Sequence, residues 1–291
     1  MTTVDFLHAC DAVAERTEKQ PFVADADFFS LRANLAVVMS STADIHSRAD
    51  WPSGRVLIVS ATYNEHDNIV ALIDRVLAVS PDLQLLFVDD DSPDGTGRIA
   101  LALAEKQPRL HVLMRRGRRG LGTAILEGFE LGRQHGFHVA VNMDADFSHD
   151  PDDIPRLLAA LEPVGGKAAD VVVGSRRVPG GQTVGWPLSR HAASRMVGWF
   201  TRWVLWVPIH DASSGFRAVR LAIFDRLSGP FAQGYAFQED LLWRVHRAGG
   251  RLAEVPITFT DRLKGSSKAD FAESRRSIGE LLRLARQTWL G

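Results

Sequence analysis

The segment 56–91, VLIVSATYNEHDNIVALIDRVLAVSPDLQLLFVDDD, decides the fold. Residues 56–61 are a short β-branched run, typical of a strand, and the apolar residues 85–88 are a second predicted strand. Between them, apolar residues recur at the spacing of one helix face: Ile69, Leu72, Ile73, Val76 and Leu77. Strand, helix and strand in this order predict a parallel βαβ unit.

The same alternation continues through residue 173. It predicts further strands over 110–114, 138–143 and 170–173, and helices over 99–107, 124–135 and 154–161. We therefore expect an α/β fold in which a Rossmann-like, mostly parallel sheet is covered by helices. Ligands of such sheets lie beyond the carboxyl ends of the strands, which is where the polar clusters of this chain occur.

The chain divides into three predicted parts. Residues 1–54 are interpreted as a helical extension and polar linker, residues 55–268 as the α/β domain, and residues 269–291 as an amphipathic C-terminal helix. The apolar stripe of that last helix fits either packing on the domain or contact with a membrane. Its members are Ile278, Leu281, Leu282, Ala285 and Trp289.

The overall composition excludes several classes of protein. With 291 residues, 45% hydrophobic residues and a net charge of −1, the chain can bury a sizeable core, and its charge indicates no nucleic-acid partner. Cys10 is the single cysteine, so an internal disulfide is excluded and a reducing cytoplasm is expected. The longest apolar run, 203–209, is far shorter than the roughly twenty residues of a membrane-spanning helix.

A pair of carboxylates follows the strand predicted over 138–143. Asp144 and Asp146 are one residue apart, and such residues project to the same side of an extended backbone. Their oxygens suit Mg²⁺ or Mn²⁺, so both are candidate metal ligands. A solvated acidic turn is the alternative, which the polar clusters at the other strand ends disfavour.

Two of those other clusters suit a nucleotide. Tyr63 offers a ring for stacking, while Glu65 and either Asp89 or Asp90 offer acceptors for base N–H groups and ribose hydroxyls. Helix capping by the neighbouring Asn and Ser residues is the competing interpretation of each cluster taken alone.

Basic residues in two regions suit phosphate groups. The Gly-rich loop 117–122 contains Arg119 and opens a helix, as phosphate-binding loops do. It nearly matches a dinucleotide fingerprint, but Ile125 replaces the third Gly or Ala. Further along, Arg176 and Arg190 suit an anionic acceptor.

Three tryptophans and two arginines share one face of a predicted helix. Trp199, Trp203 and Trp206 lie with Arg195 and Arg202 within about 100° at helical spacing. This combination is typical of a membrane–water interface, where rings lie among headgroups and cations meet phosphate. Burial of the rings in the core is the alternative, but it leaves the two arginines unexplained.

Two later segments are also candidates for the site. Glu239 and Asp240 precede a helix predicted over 241–248, where they either interact with the helix dipole or face the acceptor. Residues 261–268 form a basic loop, ending at Lys268, that is predicted to cover a diphosphate.

These clusters and several further short motifs follow one another along the chain. They are Thr62-Tyr-Asn-Glu65, Val88-Asp-Asp-Asp-Ser-Pro-Asp-Gly-Thr96, Gly120-Leu-Gly-Thr123, Asp144-Ala-Asp146-Phe-Ser148-His149, Gly174-Ser-Arg176, Trp186-Pro…Arg190, Ser214-Gly-Phe-Arg217, Phe237-Gln-Glu239, Glu254-Val-Pro-Ile257 and Asp261-Arg…Gly-Ser-Ser-Lys268. Together they resemble the motifs of family 2 glycosyltransferases, in particular the polyprenyl (dolichyl) phosphate mannosyltransferases. The likeness covers residues 55–268.

The resemblance implies a GT-A fold, a nucleotide-sugar donor, most readily GDP-mannose, a polyprenyl phosphate acceptor, and Mg²⁺ or Mn²⁺. Ser148 stands where some members have a metal-binding Gln. The implied site residues are Tyr63, Glu65, Asp89, Asp90 and Arg119 for the nucleotide, Asp144, Asp146 and Ser148 for the metal, Arg176, Arg190 and Lys268 for phosphates, and Asp146, Arg190 and Glu239 for catalysis.

The expected reaction is a single in-line displacement with inversion at the sugar. The alternatives are transfer from another donor such as UDP-glucose or to another acceptor, a non-catalytic nucleotide-sugar-binding module, and a nicotinamide oxidoreductase. We expect the protein to lie peripherally on the cytoplasmic face of a membrane, with a membrane-anchoring partner subunit as one route to that surface.

Overall fold

A computed structural model gives the structure of residues 43–46, 56–117, 120–162, 168–261 and 271–290. The strands in these ranges are β1 (Ala43–His46), β2 (Val56–Thr62), β3 (Leu83–Asp89), β4 (Leu110–Arg115), β5 (Val139–Asn142), β6 (Val171–Ser175), β7 (Gln182–Val184), β8 (Arg217–Arg220), β9 (Leu252–Pro256) and β10 (Thr258–Thr260). Eight of them form one sheet in the order β1-β4-β3-β2-β5-β8-β6-β9, while β7 and β10 pair separately.

Helices cover this sheet on both faces. Those in the described ranges are α1 (Ile69–Val79), α2 (Thr96–Ala104), α3 (Leu121–Gln134), α4 (Ile154–Ala159), α5 (Leu188–Trp203), α6 (Phe237–Arg247) and α7 (Phe271–Leu290), with 3₁₀ turns at Pro151–Asp153, Leu221–Arg226 and Gly234–Ala236. The predicted α/β architecture is confirmed. The predicted start of α6 is wrong, because the helix begins four residues earlier and places Glu239 and Asp240 in its first turn.

The strand directions confirm a mostly parallel sheet. Strands β4, β3, β2 and β5 are mutually parallel, as are β6 and β9, whereas β8 is antiparallel to both of its neighbours. Strand β1 pairs antiparallel with β4 and lies within the stretch predicted as a linker. It covers backbone groups that β4 would otherwise expose, and its four residues are too few to show a readable period. The rest of the predicted 1–54 extension lies outside the described residues.

Two hydrophobic clusters occupy the two faces of the sheet. On one face α1 and α4 pack against side chains such as Ile58 and Leu85, and on the other α3 and α6 pack against Leu57 and Val59. A Cβ built on Gly128 of α3 would lie 2.4 Å from Cγ1 of Val59, so only glycine permits this close approach of helix to strand. The helices thus fix the strand ends on which the polar clusters lie.

The apolar stripe of the C-terminal helix α7 is divided between residues packed on the domain and residues that remain exposed. Leu284 is buried, and Leu281 and Ala285 pack against the core. Ile278 and Leu282 instead remain 58% and 59% exposed. The helix therefore belongs to the domain while presenting part of its apolar surface to the outside.

Candidate active site

The predicted polar clusters meet at one edge of the sheet. Strands β2, β3, β5 and β6 point the same way, so their carboxyl ends lie at a common edge. Asn142 at the end of β5 donates from Nδ2 to the carbonyl of Gly215 over 2.6 Å. A Cβ built on Gly215 would lie 3.3 Å from Oδ1 of Asp144 and 3.6 Å from Nε2 of Gln238. The loop after β5, the chain before β8 and the start of α6 therefore adjoin.

Asp89 lies beneath this edge, fully buried. Its Oδ2 accepts hydrogen bonds from the hydroxyls of Thr62, at 2.9 Å, and Ser92, at 2.6 Å, and its Oδ1 accepts the Ser92 N–H at 2.9 Å. The carboxylate therefore has a structural role, and its direct contact with a nucleotide stays a prediction. It joins Thr62, where β2 ends and the next loop begins, to the loop after β3. Tyr63 and Glu65 lie half-buried on the first of these loops and stay predicted nucleotide ligands.

Asp90 is part of a buried ionic network. Oδ1 of Asp90 lies 2.9 Å from Nη1 of Arg115, whose Nε lies 3.1 Å from Oε2 of Glu127. Burial raises the pKa of Asp90 to about 6, although Arg115 and the Gly120 N–H that it accepts act in the opposite direction. Arg115 is therefore a buried partner of two carboxylates, although it belongs to a basic stretch of the sequence. Asp90 thus holds the Gly-rich loop through the Gly120 N–H. Arg119 of the same loop lies outside the described residues.

The Asp144–Asp146 segment is bent, not extended. Strand β5 ends at Asn142, and Phe147 has a φ of 60°, which non-glycine residues rarely adopt. Asp144 and Asp146 therefore do not alternate along a strand as predicted, although both lie at the predicted edge. Asp146 is buried and accepts the Ser148 N–H at 3.0 Å, whereas the Asp144 side chain is 39% exposed.

This donor set matches Mg²⁺ or Mn²⁺ in a substrate-assisted site. Among the described residues, no cluster of three or more His, Cys, Asp and Glu side chains could hold a metal alone. Mg²⁺ is usually held by one or two carboxylates together with substrate phosphates and water, so Asp144 and Asp146 suffice. Ser148 is buried, and its role as a third ligand stays a prediction.

Arg176 and Arg190 differ sharply in their surroundings. Nε and Nη2 of Arg176 donate to the two oxygens of the fully buried Asp211, each over 2.7 Å. These two nitrogens hold Asp211, and the contact of Arg176 with a phosphate stays a prediction. Arg190 is 36% exposed and pairs with Asp261 over 2.8 Å. Of the two, Arg190 is the one open to an anion.

A tryptophan between these arginines links them. The guanidinium carbons of Arg176 and Arg190 lie 4.7 and 4.2 Å from the Trp186 ring centroid. Such stacking orients a guanidinium plane while its N–H edge stays free for hydrogen bonds. Trp186 thus sets the direction in which Arg190 points.

Glu239 is buried beside Arg217 in the first turn of α6. Desolvation raises the pKa of Glu239 to about 7, with Arg217 acting against the shift. Arg217, also fully buried, has its pKa lowered to about 10 by the same desolvation and donates to the carbonyls of Ala212, Ser214 and Gln238. The pair therefore stabilises the chain beneath the site. Lys268, the remaining predicted phosphate ligand, lies outside the described residues.

Sequence reasoning missed several buried partners of the predicted residues. Asp211 lies 35 positions from Arg176, and Glu127 lies on a helix whose visible signal is apolar. His149 was noted as part of a motif, but its burial between two rings is a property of the fold alone. Glu127, a charged residue on an otherwise apolar helix face, was the one hint of a buried partner that the sequence offered.

The family profile described as "Glycosyl transferase family 2" matches residues 57–228. The chain belongs to that family. It is 42% identical over 230 residues to the polyprenol monophosphomannose synthase of Mycolicibacterium smegmatis, covering 78% of this chain and 85% of that protein. It is 43% identical over 217 residues to the undecaprenyl-phosphate mannosyltransferase of Micrococcus luteus, covering 74% and 87%. The dolichol-phosphate mannosyltransferase of Pyrococcus furiosus is 33% identical, and 59% of its length is covered.

Solved structures show the same fold. Glucosyl-3-phosphoglycerate synthase from Mycobacterium tuberculosis, solved with Mn²⁺, uridine diphosphate and phosphoglyceric acid, matches with a TM-score of 0.61 and 22% identity, over 82% of this chain and 84% of that one. The expected GT-A fold is therefore confirmed, and this family 2 protein is a glycosyltransferase.

The raised pKa of Glu239 makes a testable contribution to the pH dependence of this glycosyltransferase's stability. The folded protein holds the proton more tightly than the unfolded chain, whose pKa is 4.5, so the contribution is full below pH 4.5 and is lost as pH rises through about 7. Glu239→Gln removes this dependence. Relative to the parent, its free energy of unfolding should rise by up to about 3 kcal/mol between pH 4.5 and 8. Urea unfolding at several pH values measures the difference; parallel profiles contradict it.

The predicted tryptophan helix face is exposed. Trp199, Trp203 and Trp206 are 60%, 62% and 61% exposed, so the alternative of rings buried in the core is wrong. Trp206 lies beyond the end of α5, with a φ of 62°. Its ring contacts that of Trp289 of α7, with centroids 5.8 Å apart. We call these four residues the tryptophan face.

None of the helices in the described ranges is both long and apolar enough to cross a bilayer.

Proposed function

We propose that this glycosyltransferase moves mannose from GDP-mannose to a polyprenyl phosphate, with inversion at the sugar. The identities of 42% and 43% to two mannosyltransferases with polyprenyl-type acceptors, over about three-quarters of the chain, carry the proposal. The site supports it independently, because a two-carboxylate loop suits a nucleoside diphosphate and Arg190 suits a second, anionic substrate.

The chemistry places modest demands on the protein. A phosphate monoester has its second pKa near 6, so at neutral pH it is mostly dianionic and can attack the sugar carbon without a strong base. The main barrier is the departure of the nucleoside diphosphate. Asp144 and Asp146 would hold Mg²⁺ or Mn²⁺, which supplies charge stabilisation to the leaving diphosphate.

The remaining residues bind and orient the two substrates. Arg190, directed by Trp186, would hold the acceptor phosphate. Tyr63 and Glu65 would contact the nucleotide. Glu239 is buried, and we propose that it fixes the first turn of α6 beside the loop after β5 without touching either substrate.

A donor panel tests the proposed sugar. Purified protein is incubated with membrane-extracted polyprenyl phosphate, Mn²⁺ and either radiolabelled GDP-mannose or UDP-glucose. The proposal expects lipid-extractable label from GDP-mannose only. Label from UDP-glucose alone would replace the donor assignment, and label from neither would remove the acceptor assignment.

We also propose that the protein lies peripherally on the cytoplasmic face of a membrane through the tryptophan face. Arg190 lies in the first turn of α5 and Trp203 at its end, so one helix joins the proposed phosphate site to this face over about 20 Å. Arg195 and Arg202 flank the rings and suit anionic headgroups. The exposed apolar residues of α7 extend the same surface next to Trp289.

Vesicle flotation tests this docking. The double variant Trp199→Ser with Trp203→Ser should bind vesicles containing anionic lipid at least about 10-fold more weakly, because each ring loses a favourable transfer from water. Val70→Ser is the matched control, since Val70 is exposed on α1 and lies outside the tryptophan face. Equal binding by parent and double variant would contradict direct docking and leave a membrane-anchoring partner subunit as the route.

A further inference from the structure

His149 is a buried side chain that contacts Asp144 at the start of the Asp144–Asp146 bend. Its ring is 1% exposed, stacks on Phe216 with centroids 4.9 Å apart and meets Phe259 edge-on at 5.3 Å. Two aromatic neighbours on different sides hold an imidazole in one orientation. The ring nitrogens therefore have fixed directions relative to the bend.

One of those nitrogens holds the backbone of the first carboxylate. The Asp144 N–H donates to Nδ1 of His149 over 3.2 Å, and Oδ2 of Asp144 lies 3.8 Å from the same nitrogen. A nitrogen that accepts a hydrogen bond is unprotonated, so in a neutral ring the proton is on Nε2. The ring thus contacts both the backbone and the carboxylate of Asp144.

Two hydrogen bonds of Ser148 hold the rest of the bend. The Ser148 N–H donates to Asp146, and the Ser148 carbonyl accepts the Thr260 N–H over 3.2 Å. Phe147 between them has positive φ, a conformation that the surrounding contacts must maintain. The imidazole of His149 therefore links the end of the bend back to Asp144, five residues earlier in the chain.

A purely structural aromatic residue would not need this nitrogen. The buried Nε2 of His149 makes no hydrogen bond within the described part of the chain, so the imidazole carries a polar group that packing alone disfavours. What the imidazole gains over a phenyl ring is the acceptor at Nδ1. This points to the Asp144 contact as the reason for a histidine here.

We infer that His149 is a positioning residue that sets the Asp144 and Asp146 carboxylates for a divalent cation. The inference rests on the proposed metal role of those two carboxylates. Residues behind metal ligands commonly change metal affinity by 10- to 100-fold when replaced, because they fix ligand orientation.

Two variants separate the acceptor from the ring. His149→Phe keeps an aromatic ring between Phe216 and Phe259 but removes the acceptor. His149→Asn loses the ring but places its Oδ1 close to the position of Nδ1 and keeps the acceptor. Binding of Mn²⁺ in the presence of GDP is measured by electron paramagnetic resonance, with melting temperature recorded for each protein.

We expect His149→Phe to bind Mn²⁺ roughly 10-fold more weakly than the parent while its melting temperature changes little. His149→Asn should melt earlier and yet keep Mn²⁺ affinity within about 3-fold of the parent. Parent-like affinity in His149→Phe, or equal loss in both variants, would overturn the inference. Asp146→Ala tests the premise that the two carboxylates bind the metal. Parent-like Mn²⁺ binding by that variant would remove the proposed metal site itself.

Discussion

Replacing Asp146 with Ala is expected to lower the rate of sugar transfer by roughly 100-fold or more, the equivalent of about 3 kcal/mol of transition-state stabilisation. Asp146 is buried in the bend after β5, and its loss removes one of two carboxylates available to a cation there. The measurement is initial rate with donor and Mn²⁺ saturating for the parent.

Asp152→Ala is the matched control for that variant. Asp152 lies six positions on, its side chain is 72% exposed, and it pairs only at the surface with Arg75 over 3.1 Å. The same change in charge at this position should leave transfer within about 2-fold of the parent, because exposed pairs contribute little. Normal transfer by Asp146→Ala, with Mn²⁺ still required, would show that the cation binds elsewhere.

Replacing Arg190 with Ala is expected to lower kcat/KM for the lipid acceptor by roughly 10- to 100-fold, the usual cost of losing a charged hydrogen bond. Arg190→Lys should recover only part of this loss, because an ammonium cannot lie flat on Trp186 or donate in a planar fork. The Arg190–Asp261 pair is partly exposed, so both variants should lose less than about 1 kcal/mol of stability.

Arg247→Ala provides the comparison for Arg190. Arg247 also lies over a tryptophan, 5.8 Å from the centroid of Trp243, but it is at the far end of α6. Its replacement should leave acceptor kinetics unchanged. An Arg190→Ala enzyme with a parent-like KM for lipid and a raised KM for GDP-mannose would assign Arg190 to the donor instead.

The fold could be predicted because its signals are local. The apolar runs of β2 and β3 and the helical spacing of α1 each fit within about ten residues, and parallel strands buried on both faces are largely apolar. Strand β1 was not predicted because its four residues gain their strand character from pairing with β4. Local patterns predict elements, whereas pairing partners depend on the assembled sheet.

The site was predictable in location but not in detail. Asp144 and Asp146 lie at the predicted edge because topology brings strand ends together. Arg190, on α5, is linked to them through the rings of Trp186, Phe259 and His149. Arg176, predicted to bind a phosphate, pairs with Asp211 from a distant segment, a partner that the sequence did not reveal. Distant pairing cannot be read from spacing, so a charge in the sequence does not show whether its partner is a ligand or the protein itself.

One measurement tests the account most directly: mannose transfer from labelled GDP-mannose to polyprenyl phosphate, with Mn²⁺, then with excess chelator, then with Mn²⁺ restored. The account predicts labelled lipid with Mn²⁺, loss of more than about 90% of turnover in chelator, and recovery on adding the metal back. Undiminished turnover in chelator would contradict the proposed role of Asp144 and Asp146, and unlabelled lipid throughout would contradict the proposed reaction.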